Sequence, residues 1–285
     1  MKIKIIKTVD EIHSTVKAIK LSGKSIGLVP TMGFLHRGHI SLVKESKIKN
    51  DITIVSVFVN PTQFGPTEDL NKYPRDIDKD TALLEAEGVD YLFLPDEKEI
   101  YPDDYETYVE VTKTSKKQEG EFRPSHFKGV TTIVSILFNC VCPDNAYFGR
   151  KDAQQAVIIK KMVKDLKMDI NVEIMPIIRE DDGLALSSRN IYLNKEERER
   201  ALLLSKSLNE AKIMIESGEH LVNNVIKKIS NIFLKESTIH LNYIRIVEAS
   251  SFNEIEQLEK GKEYYILIAA RIGTTRLIDN LLVTV

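Results

Sequence analysis

The sequence predicts an α/β parallel sheet over residues 1–176, followed by a smaller α+β domain over residues 177–285. Three observations carry this. Strand-like and helix-like segments alternate as far as Ile178, the habit of a parallel α/β sheet. One strand, DITIVSVFVN, is so rich in Val and Ile that both of its faces must be covered. Beyond Ile178 the order changes to two helices and then three grouped alternating segments, as in a domain with an antiparallel sheet.

Taken in order, Lys2 to Lys7 alternates as a short strand, and Val9 to Ser22 carries Ile12, Val16 and Ile19 at helical spacing before Gly23 stops it. Ser25 to Pro30, short, apolar and ended by a proline, reads as a buried strand; Ile40, Leu42, Val43 and Ser46 then recur at helical spacing. Between them sit His36, His39, Gly33 and Gly38. The Val- and Ile-rich strand runs into NPTQFGPTEDLNKYPRD, a polar loop with Asn60 and Gln63 at the carboxyl end of the strand, where open α/β sheets bind ligands. Ile77 to Glu87 is an amphipathic helix stopped by Gly88, and VDYLFLP a strand. From Asp96 to Glu121 turn residues dominate, with a short strand expected around Tyr108 to Val111 in a flap-like stretch.

RPSHFKGVTTIVSILFNCV opens a helix expected from Val130 to about Val141. A strand follows at Ala146 to Phe148, then a helix from Ala153 to about Asp165 with Asp152 as its N-cap, then a last strand from Ile170 to Ile178. Right-handed crossovers would bring the HRGH turn, the Gln63 loop and the GRKD turn to one carboxyl edge. REDDGLALSSRN is a polar connection, either the hinge of a closing lid or an ordinary linker. Helices Lys195 to Ser217 and Leu221 to Lys235, then LNYIRIVEA, YYILIAARIG and TRLIDNLLV, complete the chain.

At 285 residues the chain has room for two domains or one large one, and 42% hydrophobic with 29% charged residues is an ordinary globular balance. A net charge of -2 lacks the basic excess of a nucleic-acid footprint, so a small-molecule partner is expected and no nucleic acid. MKIKIIKTVDEIHS has no apolar run of signal-peptide length, and no later run approaches membrane-spanning length, so the expected location is the cytoplasm, without membrane contact. Cys140 and Cys142 have neither metal spacing nor a useful distance for a disulfide, and read as core filling.

A turn that opens a helix favours an anion, because first-turn N–H groups lack intrahelical partners and carry partial positive charge. Imidazoles placed there add donors. Gly33 and Gly38 have the spacing of a phosphate-cradling P-loop, but His39 and Ile40 follow where that motif needs Lys and Ser or Thr. Zinc lacks a carboxylate or cysteine at ligand spacing around the histidines, so no metal ligands are assigned. The remaining pattern, HxGH at a strand-to-helix turn, resembles the signature of the nucleotidyltransferase superfamily, whose members attack the α-phosphate of ATP. As a tetrapeptide alone it serves a solvated His-rich turn equally well. Lys151, at the second strand-to-helix junction, reads as a charge clamp for phosphate or as a solvated side chain.

PTMGFLHRGHISLV, VSVFVNPTQFGPTEDLNKYPRD, RPSHFKGV, NAYFGRKDAQQ and REDDGLALSSRNIYL, in that order, resemble the blocks of the pantothenate synthetase family over essentially the whole chain. The resemblance implies a Rossmann-like N-terminal domain that binds nucleotide and pantoate over 1–176, and a C-terminal lid associated with dimer formation over 177–285. It further implies ATP-dependent condensation of pantoate with β-alanine in coenzyme A biosynthesis, with magnesium, as a homodimer. Carried over by position, Met32, Gly33, Phe34, Leu35, His36, Arg37, Gly38 and His39 form the ATP-binding turn, with His39 as proton donor. Gln63 holds pantoate and β-alanine, and Gln155 pantoate. Gly149, Arg150, Lys151 and Asp152, and Leu186, Ser187, Ser188 and Arg189, bind nucleotide, and Ile178 meets adenine through its backbone. The charge-bearing chemistry falls to His36, His39, Lys151 and Arg189.

Three residues depart from the family's pattern: Arg37 where an acid is usual, Arg150 in place of a glutamate, and Ser125 in place of a glycine. They bear on local charge and nucleotide affinity. Two other classes stay open at this stage: a nucleotidylyltransferase that leaves the nucleotide on its product, and a nucleotide-binding sensor without turnover.

Overall fold

The computed structural model describes residues 2–66 and 68–285; Thr67, inside the NPTQFGPTEDLNKYPRD block, lies outside them. The chain forms two compact units, Met1–Arg150 with Ile158–Pro176, and Lys151–Val157 with Ile177–Val285. In the first, the elements are β1 (Lys4–Ile6), α1 (Val9–Leu21), β2 (Ile26–Thr31), α2 (Arg37–Lys49), β3 (Ile52–Val57), α3 (Ile77–Ala86), β4 (Tyr91–Phe93), the short α4 (Glu97–Ile100) and α5 (Glu119–Phe122), α6 (His126–Val141), β5 (Asn145–Gly149), α7 (Ala153–Asp165) and β6 (Asn171–Met175). Residues 151–157, including the first turn of α7, group with the second unit.

The six strands form one parallel sheet in the order β1-β4-β3-β2-β5-β6. Alternation along the strands explains their near-continuous apolar sequence. Leu28, Ile54, Phe93 and Phe148 point to a core shared with α1, α6 and α7, while Val29, Val55, Leu92 and Tyr147 point to one shared with α2 and α3. Both faces are therefore covered. The chain moves from β2 to β3 on one side, and β5 pairs with β2 on the other. The strand order thus reverses at β2 and β5, and the carboxyl ends of such a pair are where open α/β sheets place ligands.

Two expectations need correction. Tyr108 to Val111 is not a strand: Val109 is tied instead to α6, its N–H donating to Thr132 Oγ1 at 3.1 Å and its carbonyl accepting from Thr131 Oγ1 at 2.6 Å. Helix side chains satisfy the backbone that a neighbouring strand would have satisfied. The two helices after glycine-marked turns also start earlier than their apolar periodicity indicates, at Arg37 and His126, because each first turn carries a glycine and charged or imidazole side chains that break the apolar spacing.

In the second unit, α8 (Lys195–Glu216) and α9 (Val222–Phe233) pack on an antiparallel sheet of β7 (Ile239–Glu248), β8 (Glu263–Ile272) and β9 (Thr275–Thr284), in the order β7-β8-β9. One sheet face meets Leu204, Leu208, Val225 and Ile229 from the helices; the other carries Tyr243, Leu267 and Ala269, packed with Ala153 and Phe252.

Candidate active site

The turn after β2 is built by short-range chemistry. Gly33 takes a left-handed φ of 81°, followed by Phe34 at 51°. A non-glycine residue in that region needs support, and Asp80 on α3 supplies it. Its carboxylate accepts from the N–H groups of Phe34 and Leu35, both at 2.7 Å. Asp80 is 1% exposed. Burial pushes its carboxyl above the ordinary value, against the lowering effect of those two backbone bonds. Asp76, one turn earlier, is the N-cap of α3, accepting from Lys79 N at 3.1 Å. Asp80 was missed in the sequence, where it looks like any acid on an amphipathic helix.

His36 and His39 close a reciprocal cap on α2. His36 Nδ1 accepts from Gly38 N at 3.1 Å, and His39 Nδ1 accepts from His36 N at 3.3 Å. Their ring centroids lie 4.0 Å apart, with the ring planes tilted by 31°. This narrows the expectation that unpaired first-turn N–H groups favour an anion here, since three N–H groups around the start of α2 are engaged. The N–H groups of His36 and Gly38 are used by the imidazoles, and that of His39 by the His36 carbonyl at 2.8 Å. A ring nitrogen that accepts bears no proton, so the proton of each neutral ring sits on Nε2, the opposite atom. The ring donors of the two histidines are therefore their Nε2–H groups.

The loop after β3 carries Gln63, 8% exposed, in a one-turn 3-10 helix spanning Pro61–Gln63. Its backbone carbonyl accepts from Arg123 at 3.3 Å and meets His126 Nδ1 at 2.9 Å. Arg123 forks onto both oxygens of Glu68, each at 2.6 Å, and its Nη1 lies 3.2 Å from His126 Nε2. An arginine only donates, so His126 Nε2 accepts and Nδ1–H donates to Gln63. Burial, followed by the Arg123 charge, pushes His126 down to about 4. Burial works against the charge on Glu68, yet Arg123 holds its carboxyl below the ordinary range. Gly129 lets the two segments touch: a Cβ there would stand 2.4 Å from the Thr62 carbonyl oxygen and 2.6 Å from Gln63 N. The RPSHFKGV block is thus a clamp on the Gln63 loop, a role its sequence did not disclose.

Gly149 ends β5, and Arg150 to Asp152 form a 3-10 turn that runs into α7, so Asp152 sits within that turn. In the second unit, residues 178–186 fold back on themselves: Leu186 N donates to Ile178 O at 3.0 Å and Arg179 bridges Ala185. Arg179 forks onto Asp279 of β9 at 2.7 and 2.9 Å. Glu180 and Asp182 pair with Arg198. The segment is therefore braced rather than a loose linker. Ser187 Oγ caps the next 3-10 turn, accepting from Arg189 N at 3.3 Å, and Ser188 is buried. Lys151 and Ser187, far apart in sequence, line one small cavity with Asn190 and Asp279. Lys151 Nζ lies 3.8 Å from Asp152, and the Lys151 carbonyl accepts from Asn280 at 2.8 Å. Gln155 is partly buried in the first turn of α7.

The first unit thus groups Met32–His39 with Gln63, and the second groups Lys151 with Ser187. Among the described residues no set of three or more His, Cys, Asp or Glu stands together as a metal cage, and no helix is long and apolar enough to cross a membrane.

The family described as Pantoate-beta-alanine ligase matches residues 4–282. A pantothenate synthetase of Caldicellulosiruptor saccharolyticus is 52% identical over 281 residues, 99% of each chain. One of Acetivibrio thermocellus is 49% identical over 99% of this chain and 100% of its own. The crystal structure of pantothenate synthetase from Thermus thermophilus superposes with a TM-score of 0.92 at 39% identity, covering 98% of this chain and 99% of that one. A pantoate-β-alanine ligase from Francisella tularensis, solved with βγ-ATP and β-alanine, gives 0.81 at 36% identity, covering 98% and 97%. With the histidine turn at the reversal of a parallel sheet and these matches along its whole length, the chain belongs to the pantoate–β-alanine ligase family, the pantothenate synthetases.

Proposed function

We propose that the chain condenses (R)-pantoate with β-alanine to give pantothenate at the expense of ATP, through a pantoyl adenylate, releasing AMP and pyrophosphate. The carrying observation is the close His36–His39 pair at the start of α2, whose Nδ1 atoms both accept backbone N–H groups, which leaves Nε2 to carry each ring proton. In the first step a carboxylate oxygen of pantoate attacks the α-phosphorus in line and the bond to pyrophosphate breaks. Charge gathers on the phosphates, so fixed donors and cations are required rather than a strong base. His36 and His39 donate from Nε2, with His39 read as the proton donor. Lys151 and Arg189 supply positive charge, and Ser187 and Ser188 neutral donors. Met32–His39, Gly149–Asp152, Ile178 and Leu186–Arg189 are assigned to the nucleotide. Magnesium enters with it, as MgATP.

In the second step the neutral amine of β-alanine attacks the acyl carbon, loses a proton, and AMP leaves with the bonding electron pair. Gln63 and Gln155 are assigned to pantoate because amides donate to and accept from hydroxyls without titrating; Gln63 is assigned to β-alanine as well. A homodimer working in the cytoplasm belongs to the same reading, on the strength of the family resemblance. The test is product analysis: pantothenate, AMP and pyrophosphate in equal amounts, dependent on both pantoate and β-alanine, are expected. A product that retains the nucleotide when both substrates are present points to a nucleotidylyltransferase, and ATP binding without turnover to a sensor.

A further inference from the structure

With Gln63 read as the pantoate-holding side chain, as the proposed function has it, whatever fixes the direction of its carboxamide fixes how the substrate is met. That direction follows from one group with no choice. The Gly129 carbonyl only accepts, so the Asn60 atom 3.1 Å from it is the amide nitrogen. The same nitrogen donates to Gln63 Oε1 at 3.0 Å. Gln63 therefore turns its own nitrogen the other way, to 3.1 Å from Met32 Sδ in the histidine turn. Asn60 Oδ1 points away from Gln63 and accepts from Tyr101 O–H at 2.8 Å and Thr62 Oγ1 at 2.9 Å. Both amide hydrogens and both lone pairs of Asn60 are thereby engaged. At 1% exposure, water cannot replace a lost partner.

The geometry points to Tyr101 as a positioning residue: its hydroxyl holds Asn60, and through Asn60 the carboxamide of Gln63, so that the Gln63 nitrogen is offered to the carboxylate or hydroxyls of pantoate. Tyr101 sits just after α4, 41 residues from Asn60, and its ring is set by packing. Phe58 lies 6.1 Å away between centroids, and Tyr105 meets it edge-on at 4.9 Å. Burial, ahead of the opposing Thr62 hydrogen bond, pushes the phenol up to about 12, so it remains a donor at working pH. A residue that only filled space would use the ring and not the hydroxyl.

Tyr101→Phe separates these roles, because it keeps the ring and removes one oxygen. The readout is ATP–pyrophosphate exchange, with pantoate and MgATP varied in turn and the thermal midpoint measured alongside. The expected result is a KM for pantoate raised at least about fivefold, the scale of one lost neutral hydrogen bond, with the KM for ATP within about twofold of the parent. Tyr105→Phe, which keeps the edge-on ring, is expected to leave both constants unchanged. An unchanged KM for pantoate in Tyr101→Phe, or equal rises for pantoate and ATP, overturns the assignment of Tyr101 while leaving the ligase reading in place. A parent chain whose exchange ignores pantoate overturns the ligase reading, and the role of Tyr101 falls with it.

Discussion

His36 and His39 are held by hydrogen bonds that span two or three residues, whereas Gln63 is held at its carbonyl by Arg123 and His126 and at its amide by Asn60, with Tyr101 behind it. The first arrangement closes its own cap with imidazoles at the cap and the third helical position, and leans on the distant Asp80 only for the turn before it. The second needs Tyr101 after α4, Arg123 at the end of α5, and α6 already packed against the loop after β3. A local cap fails chiefly when its own residues change, or when Asp80 no longer holds the turn before it. A clamp assembled from four parts of the chain can be loosened from any of them, with loss of binding before loss of chemistry.

The largest expected effect lies in the local region. His39→Ala is expected to lower the single-turnover adenylation rate by at least about 10²-fold, the scale of losing one transition-state donor, and to cost about 1 kcal/mol of stability through the broken cap. Lys151→Ala should slow adenylation to a similar extent. Near-normal adenylation in either variant, with folding intact, removes that residue from the mechanism.

In the clamp, Gly129→Ala sharpens the contrast. The added methyl would stand 2.4 Å from the Thr62 carbonyl oxygen, so the segment bearing Gln63 must shift. Overpacking of this kind destabilises by about 1–3 kcal/mol. The KM for pantoate should rise while the KM for ATP stays, as measured by exchange kinetics; equal changes in both would mean that the two regions are not separable.

The effect with least bearing on catalysis at neutral pH is one of pH on stability. The ordinary His value is 6.5, and His126 in the fold is pushed down to about 4. Between these values the unfolded chain binds a proton that the folded chain refuses, so stability falls as pH drops through that window. The full shift corresponds to at most about 3 kcal/mol, and less for a ring that keeps some contact with water. Glu68, held below its ordinary range, adds loss in the same direction at lower pH. Urea titrations from about pH 7 to about pH 4 should show this slope, and His126→Gln should flatten it; an unchanged slope would remove His126 as its source.

The same contrast explains what the sequence disclosed. Parallel strands were legible in ITIVSV because burial on both faces leaves an unbroken apolar run, and the HxGH turn because its partners lie within the motif. Asp80, Tyr101, Arg123 and His126 gave no such signal, since each acts on a residue tens of positions away and looks locally like a helix acid, a turn tyrosine or a helix start. The expected strand at Tyr108 to Val111 failed for the same reason: Thr131 and Thr132, on a helix, capture the backbone of Val109. The family blocks marked several of these segments without revealing which contact each one makes.

ATP–pyrophosphate isotope exchange with MgATP and pantoate, in the absence of β-alanine and beside a control without pantoate, tests the adenylate step most directly. Exchange that depends on pantoate is the predicted result, because pantoyl adenylate forms reversibly before any amine is needed. Absence of exchange, in protein that binds ATP, would contradict the two-step reading.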